Sequence, residues 1–174
     1  MAVKPFVSGY AITWNSPAVI AGAFEERFAR GSFDKSLRDF PDVVALWAHS
    51  SSSPLGRVGN GTLELRSDNV GLWYALTPNP ESPMGQEALA TVGRGDVGEV
   101  SVGFGSEVEE WDDTADLPRR LITQARLYEI SLVVWGAYGK ATSASLSSPD
   151  NAANARRRTI EKMEREHKLR GIAV

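Results

Sequence analysis

A single β-rich domain of the α+β class is what this sequence predicts, on three observations. Its 174 residues, 42% of them hydrophobic, suffice for one proper core but not for two full domains. The 16 glycines and 9 prolines punctuate short apolar runs along the chain, a pattern of many strands and turns rather than of a helical bundle. Several of those runs alternate apolar with small or polar residues, the period of two that a half-buried strand requires.

Residues 6–14 carry aromatic and β-branched side chains and stop at Asn15-Ser16-Pro17, which predicts a first strand. Gly31-Ser32 resets the backbone, and Ser32 is placed to cap a short helix with Asp34 in its first turn. Phe33, Leu37 and Phe40 recur at helical spacing and should face the core, and Pro41 ends the helix. Residues 43–47 form a continuous apolar run of strand length, the mark of a strand buried on both faces, and it leads straight to His49. The stretch 50–54 reads as a loop. Gly59-Asn60-Gly61 then reads as the turn of a hairpin whose second strand is the alternating Thr62-Leu63-Glu64-Leu65-Arg66. Ser67-Asp68-Asn69 turns the chain into a strand over 70–76, and Pro78, Pro80 and Pro83 keep the next stretch irregular before a helix over 84–92. Over 97–104, Val100, Val102 and Phe104 share one face while Ser101, Gly103 and Gly105 share the other. Two closing strands follow at 119–124 and 127–134, and Glu129 interrupts the apolar run of the second.

Composition excludes several chemistries. The chain has no cysteine, so disulfides, thiol nucleophiles and thiolate metal sites are ruled out, which fits a reducing compartment. With His49 and His167 as its two histidines, no metal centre is expected. The N-terminal stretch has one lysine and no sustained apolar region, and nothing later approaches the length of a membrane span, so a soluble intracellular protein is expected. From 142 onward the composition turns to Ser, Ala and Asn, which predicts a domain over 1–141, a linker over 142–153 and a helix-prone tail over 154–174. Residues 154–170 hold seven Lys/Arg against three Asp/Glu, a local charge of +4 that leaves −7 for the rest of a chain whose net is −3. Diluted with glutamates, those basic residues do not predict nucleic-acid binding; docking of the tail on a protein partner and a merely solvated helix are its two readings.

Peptide hydrolysis by serine needs a hydroxyl on a rigid element, an imidazole to take its proton, a third group to orient the imidazole, and donors for the oxyanion. His49, Ser101 and Glu129 are of the right types. An imidazole titrates near neutral pH, which suits a general base, and a carboxylate on its far nitrogen would fix the tautomer. Gly103 and Gly105 leave room for an approaching peptide. Each residue also has a plain alternative. A histidine at a strand end is often just a satisfied polar group, serine is abundant in this chain, and Glu129 would be served equally well by an ion pair with an arginine. Spacing alone leaves the choice open.

An ordered series of motifs resembles the prohead proteases of tailed bacteriophages, from Gly9-Tyr10-Ala11 to about Tyr138. Glu26-Arg27-Phe28-Ala29-Arg30-Gly31-Ser32-Phe33 is similar to a family block and is followed by Asp34-Lys35-Ser36-Leu37. Leu46-Trp47-Ala48-His49 resembles the histidine motif, with Leu55-Gly56-Arg57 just after it. Gly61-Thr62-Leu63, Gly71-Leu72, Arg94-Gly95-Asp96, Ser101-Val102-Gly103-Phe104 and Leu127-Tyr128-Glu129-Ile130-Ser131-Leu132-Val133 continue the order. Each block is weak alone; the ordered set is specific. The chain departs from the family where Asn often precedes and Asp often follows the histidine, having Ala48 and Ser50, and where Pro-Ala-Tyr is replaced by Gly136-Ala137-Tyr138.

The resemblance implies a fold like that of the herpesvirus capsid maturation protease, a barrel of about seven strands ringed by a few helices. It implies Ser101 as nucleophile, His49 as base and Glu129 as the third member, with no cofactor. The herpesvirus enzymes use an arginine loop for the oxyanion, and residues 135–140 here contain no arginine. Backbone N–H groups there or near Gly103, helped by Lys140, are the expected substitutes, each donor being worth roughly two orders of magnitude in rate. The implied substrates are the major capsid protein and scaffolding segments, cut in the host cytoplasm inside the assembling procapsid, with self-cleavage expected in the linker at 142–151. The resemblance leaves a homodimer open. The rivals are a catalytically inactive scaffold or capsid assembly protein of the same fold, which would have no chemical reason to keep all three residues, and an unrelated β-barrel binding module.

Overall fold

The computed structural model describes residues 4–147. The predicted tail, the linker beyond residue 147 and, with it, residues 148–151 of the expected cleavage stretch 142–151 lie outside the described residues. Ten strands and two helices appear among those described. Strands β1 (Phe6–Thr13), β6 (Leu63–Ser67), β7 (Gly71–Leu76) and β10 (Ser145–Ser147) form one sheet in the order β10-β1-β7-β6. The second sheet holds β2 (Ala18–Ile20), β3 (Phe24–Phe28), β4 (Val44–Trp47), β5 (Ser50–Arg57), β8 (Glu99–Asp112) and β9 (Arg119–Val133). Its order is β2-β3-β9-β4-β5, with β8 paired along β9. The expected β-rich α+β class is therefore present. Hydrogen bonding among the described residues leaves both sheets open, without the closure of a seven-stranded barrel.

One hydrophobic core joins the two sheets. Val7, Leu72 and Leu76 of the first pack in the same cluster as Val100, Ile122 and Ile130 of the second. Phe28 stacks edge-on to Phe104 and to Tyr138, at centroid distances of 5.0 and 5.5 Å, and lies 5.1 Å from Phe33. Helix α2 (Pro83–Arg94) runs slightly beyond the predicted 84–92. Ser82 accepts the Gly85 N–H at its start, Pro83 occupies the first turn, and Gly95 closes it at φ 87°. No helix among the described residues is long and apolar enough to cross a membrane.

Five local expectations are corrected. Helix α1 (Asp34–Asp39) has Phe33 at its N-cap with no side-chain cap bond, and the buried Ser32 hydroxyl finds no hydrogen-bond partner among the described residues. Complete burial of the Phe33 ring sets the entry geometry here, overriding the serine cap. Phe40 is 43% exposed instead of facing the core, with the Arg126 guanidinium 3.9 Å above its ring. The stretch 50–54 is not a loop but opens β5, antiparallel to β4. Finally, 59–61 does not turn a hairpin. A 3₁₀ turn over Val58–Asn60 and a left-handed Gly61 at φ 74° send the chain from one sheet to the other, and β6 pairs with β7 instead. The two closing strands are one, β9, whose first half lies beside β3 and second half beside β4, both parallel.

Candidate active site

Strands β8 and β9 run antiparallel with Ser101 opposite Ser131, Gly103 opposite Glu129, and Phe104 opposite Leu127. The register leaves Tyr128 without a partner, a β-bulge. Its effect is visible in the burial: Leu127 and Ile130, three residues apart, both enter the core, which strict alternation forbids and one extra residue permits. Directly opposed residues of an antiparallel pair share a face. Glu129 and Ser131 therefore emerge beside Ser101 and Gly103.

On the other flank of β9, β4 runs parallel with Leu46 opposite Ser131 and Trp47 opposite Leu132. The turn from β4 to β5 is made by Ala48 and His49, between the paired Trp47 and Ser50. Their φ angles of 48° and 60° are both left-handed, as a two-residue type I′ hairpin demands. Such turns favour Asn-Gly, and side chains with a Cβ there cost about 1 kcal/mol each. The strained turn swings His49 over β9. Its Nδ1 lies 2.5 Å from Glu129 Oε1, and its backbone N–H donates to Ser131 Oγ at 3.0 Å. Ser131 Oγ in turn donates to Glu129 Oε2 at 2.6 Å. The side chain of Glu129 is 15% exposed and that of His49 is 46% exposed, so the carboxylate is sheltered and the imidazole reaches solvent. A carboxylate accepts from an imidazole N–H, so this contact suits the tautomer with its proton on Nδ1 and its lone pair on Nε2.

His49 and Glu129 are thus brought together from positions far apart in the chain. Ser101 is placed one strand over, partly exposed, and among the described residues no hydrogen bond links it to His49; what joins them is the ladder through Ser131. Gly103 is required for a reason different from peptide access. A Cβ built on it would lie 2.5 Å from Glu129 Oε1 and 2.8 Å from its Cγ, so the carboxylate occupies the space a side chain would take.

Residues 135–140 fold back along the start of β8. The Gly136 N–H donates to Glu99 Oε2 at 2.7 Å, and the Val100 N–H donates to Thr142 Oγ1 at 3.0 Å. Lys140 sits in the 3₁₀ turn Gly139–Ala141 and is exposed. Tyr138 anchors this stretch by donating its hydroxyl to Glu26, which is 3% exposed and pairs with Arg120 at 2.8 Å. Burial, and then the Glu26 carboxylate, push the Tyr138 hydroxyl pKa well above its ordinary value. Two contributors were not anticipated: Glu99 and Ser131. Ser131 was legible in principle, since it stands two residues from Glu129 on a strand and so shares its face. A cavity of about 400 Å³ lined by Arg27, Trp111, Arg119 and Arg120 lies at the Asp112 end of β8 and takes no part in this arrangement.

Comparison with known proteins places the chain. The family model for the caudovirus prohead serine protease matches residues 2–164 of the 174. No curated protein gives a significant match. With nearly its whole length matched, the chain belongs to the caudovirus prohead serine protease family.

Proposed function

We propose that this member of the prohead serine protease family is an endopeptidase that cuts capsid and scaffolding proteins within the assembling procapsid, with Ser101 as nucleophile, His49 as base and Glu129 as its orienting group. The observation that carries the reading is the 2.5 Å contact between His49 Nδ1 and Glu129 Oε1, made one strand from Ser101. In this mechanism Ser101 Oγ attacks the scissile carbonyl while His49 Nε2 takes its proton. The imidazolium, held by Glu129, then protonates the departing amine, and water resolves the acyl-enzyme by the reverse path. Backbone N–H groups near Gly103 or within 135–140 would bind the oxyanion, with Lys140 at their margin. The Gly136 N–H is engaged by Glu99, so the donor would come from its neighbours. We read the two sheets, which share one core, as an opened form of the seven-stranded barrel. Self-cleavage would fall at 148–151, because β10 holds 145–147 in the sheet.

The test is intact-mass analysis after co-expression with the cognate major capsid protein. Discrete products with the unaltered chain that disappear with Ser101→Ala are expected. Uncut capsid protein in procapsids that nevertheless form would sink the reading and favour an inactive scaffold.

A further inference from the structure

We infer that Ser131 is a positioning residue of the proposed reaction: its hydroxyl ties the turn that carries the base to the carboxylate that orients it. The inference rests on the reading of His49, Ser101 and Glu129 given above. Ser131 is fully buried, and both capacities of its hydroxyl are used inside the site. It accepts the His49 backbone N–H and donates to Glu129 Oε2.

Two soft degrees of freedom meet at the His49–Glu129 contact, and Ser131 removes both. The first is the backbone of Ala48 and His49, held in the left-handed region at two residues with side chains, which has a conformational incentive to relax. The Ser131 oxygen holds the amide of the second of them. The other is the terminal torsion of Glu129, which in a glutamate is broad and has no sharp minimum. By fixing Oε2, the Ser131 hydroxyl leaves Oε1 facing the imidazole, while the bare Gly103 backbone lies where a side chain would displace the carboxylate. A misplacement of about 1 Å in such a constellation costs on the order of 100-fold in rate, so the loss of this hydroxyl should slow catalysis without altering the nucleophile, the base or the carboxylate.

The experiment uses the full chain and a fluorophosphonate, in which serine Oγ displaces fluoride from phosphorus as its proton leaves to the base. Phosphonylation is followed by intact mass for the unaltered chain, Ser131→Ala, His49→Ala and the double variant. Ser131→Ala is expected to slow phosphonylation about 10- to 100-fold, and to add less than about twofold to His49→Ala, because residues acting through one group are not additive. Equal slowing in both backgrounds would show a merely structural serine and overturn the inference, as would an unchanged rate in Ser131→Ala. Unaltered phosphonylation in His49→Ala would instead bring down the reading on which the inference rests, and the inference with it. Should Ser131→Ala fail to fold, Ser131→Cys, nearly isosteric and a weak donor, carries the same expectations.

Discussion

Replacing Gly103 by alanine adds one methyl group and should disable the site through a residue it does not alter. The new Cβ would stand 2.5 Å from Glu129 Oε1, 2.8 Å from Cγ and 3.0 Å from Cδ. These atoms cannot withdraw freely, because the carboxylate is held by His49 at 2.5 Å and by Ser131 at 2.6 Å. Expulsion of the carboxylate leaves the imidazole without its tautomer-fixing partner, a loss worth as much as about 10⁴-fold in kcat. Overpacking would cost a further 1–3 kcal/mol, roughly, in stability, against the ~0.5–1 kcal/mol that Gly→Ala in a strand ordinarily gains. The control is Gly105→Ala, whose Cβ would meet the hydroxyl tip of Tyr128 at 2.8 Å, an exposed side chain free to swing away. Cleavage of the capsid protein and phosphonylation by the fluorophosphonate, read beside thermal melting, separate lost chemistry from lost fold. Gly103→Ala should lose activity while still folded, Gly105→Ala should retain it, and adding Gly103→Ala to Glu129→Ala should cost little more. A fully active Gly103→Ala would refute the argument that Glu129 must lie against this glycine.

Three further outcomes are expected. Ala48→Asn should stabilise the fold by about 0.5–1 kcal/mol, since asparagine tolerates the left-handed φ of 48° better than alanine does; differential scanning calorimetry checks it, and a lower melting temperature counts against the strain assigned to the turn. Arg120→Leu removes the cation beside the buried Glu26 and should cost about 3–5 kcal/mol in denaturant unfolding, the usual penalty for stranding a buried charge; a loss below 1 kcal/mol would contradict the network. Glu109 has its carboxyl pKa lowered to about 2 by hydrogen bonds from Ser106, Trp111 and Arg120. A depressed folded value means its stabilisation is complete above the unfolded pKa of about 4.3 and is lost as pH falls toward 2. Glu109→Gln should therefore flatten the acid limb of stability in that window, and an unchanged limb would argue against those bonds.

The elements most readable in the sequence were those whose signals are local. The first strand, the run that leads to His49, the alternation around Ser101 and helix α2 were all legible, because period, length and caps are written in neighbouring residues. The strands β2 and β3 carry no such local signal. Both are short, and β3 exists as a strand through parallel pairing with residues 119–122, nearly a hundred positions away. At 59–61 the sequence predicts a hairpin and the structure has none, because a Gly-Asn-Gly signal specifies a turn, not which strands the turn will pair. Likewise Ser32 looked like a cap, but burying the neighbouring Phe33 ring set the helix entry.

By itself, the sequence determined the β-rich class, the absence of thiol chemistry, and the three residue types that serine chemistry would draw upon, since these follow from composition and short-range pattern. Its ordered motifs also pointed to the prohead protease family, to which the chain belongs. Only the tertiary structure showed what Glu129 touches: among the described residues its side chain bonds His49 and Ser131 and no arginine. That outcome depends on a bulge at Tyr128, a left-handed turn at Ala48 and His49, and a missing side chain at Gly103. The glycine is visible in the sequence but the carboxylate lying against it is not, and neither the bulge nor the turn has a local signature, because each expresses how one strand sits against another, and strand pairing across eighty residues is set by the packing of the whole core.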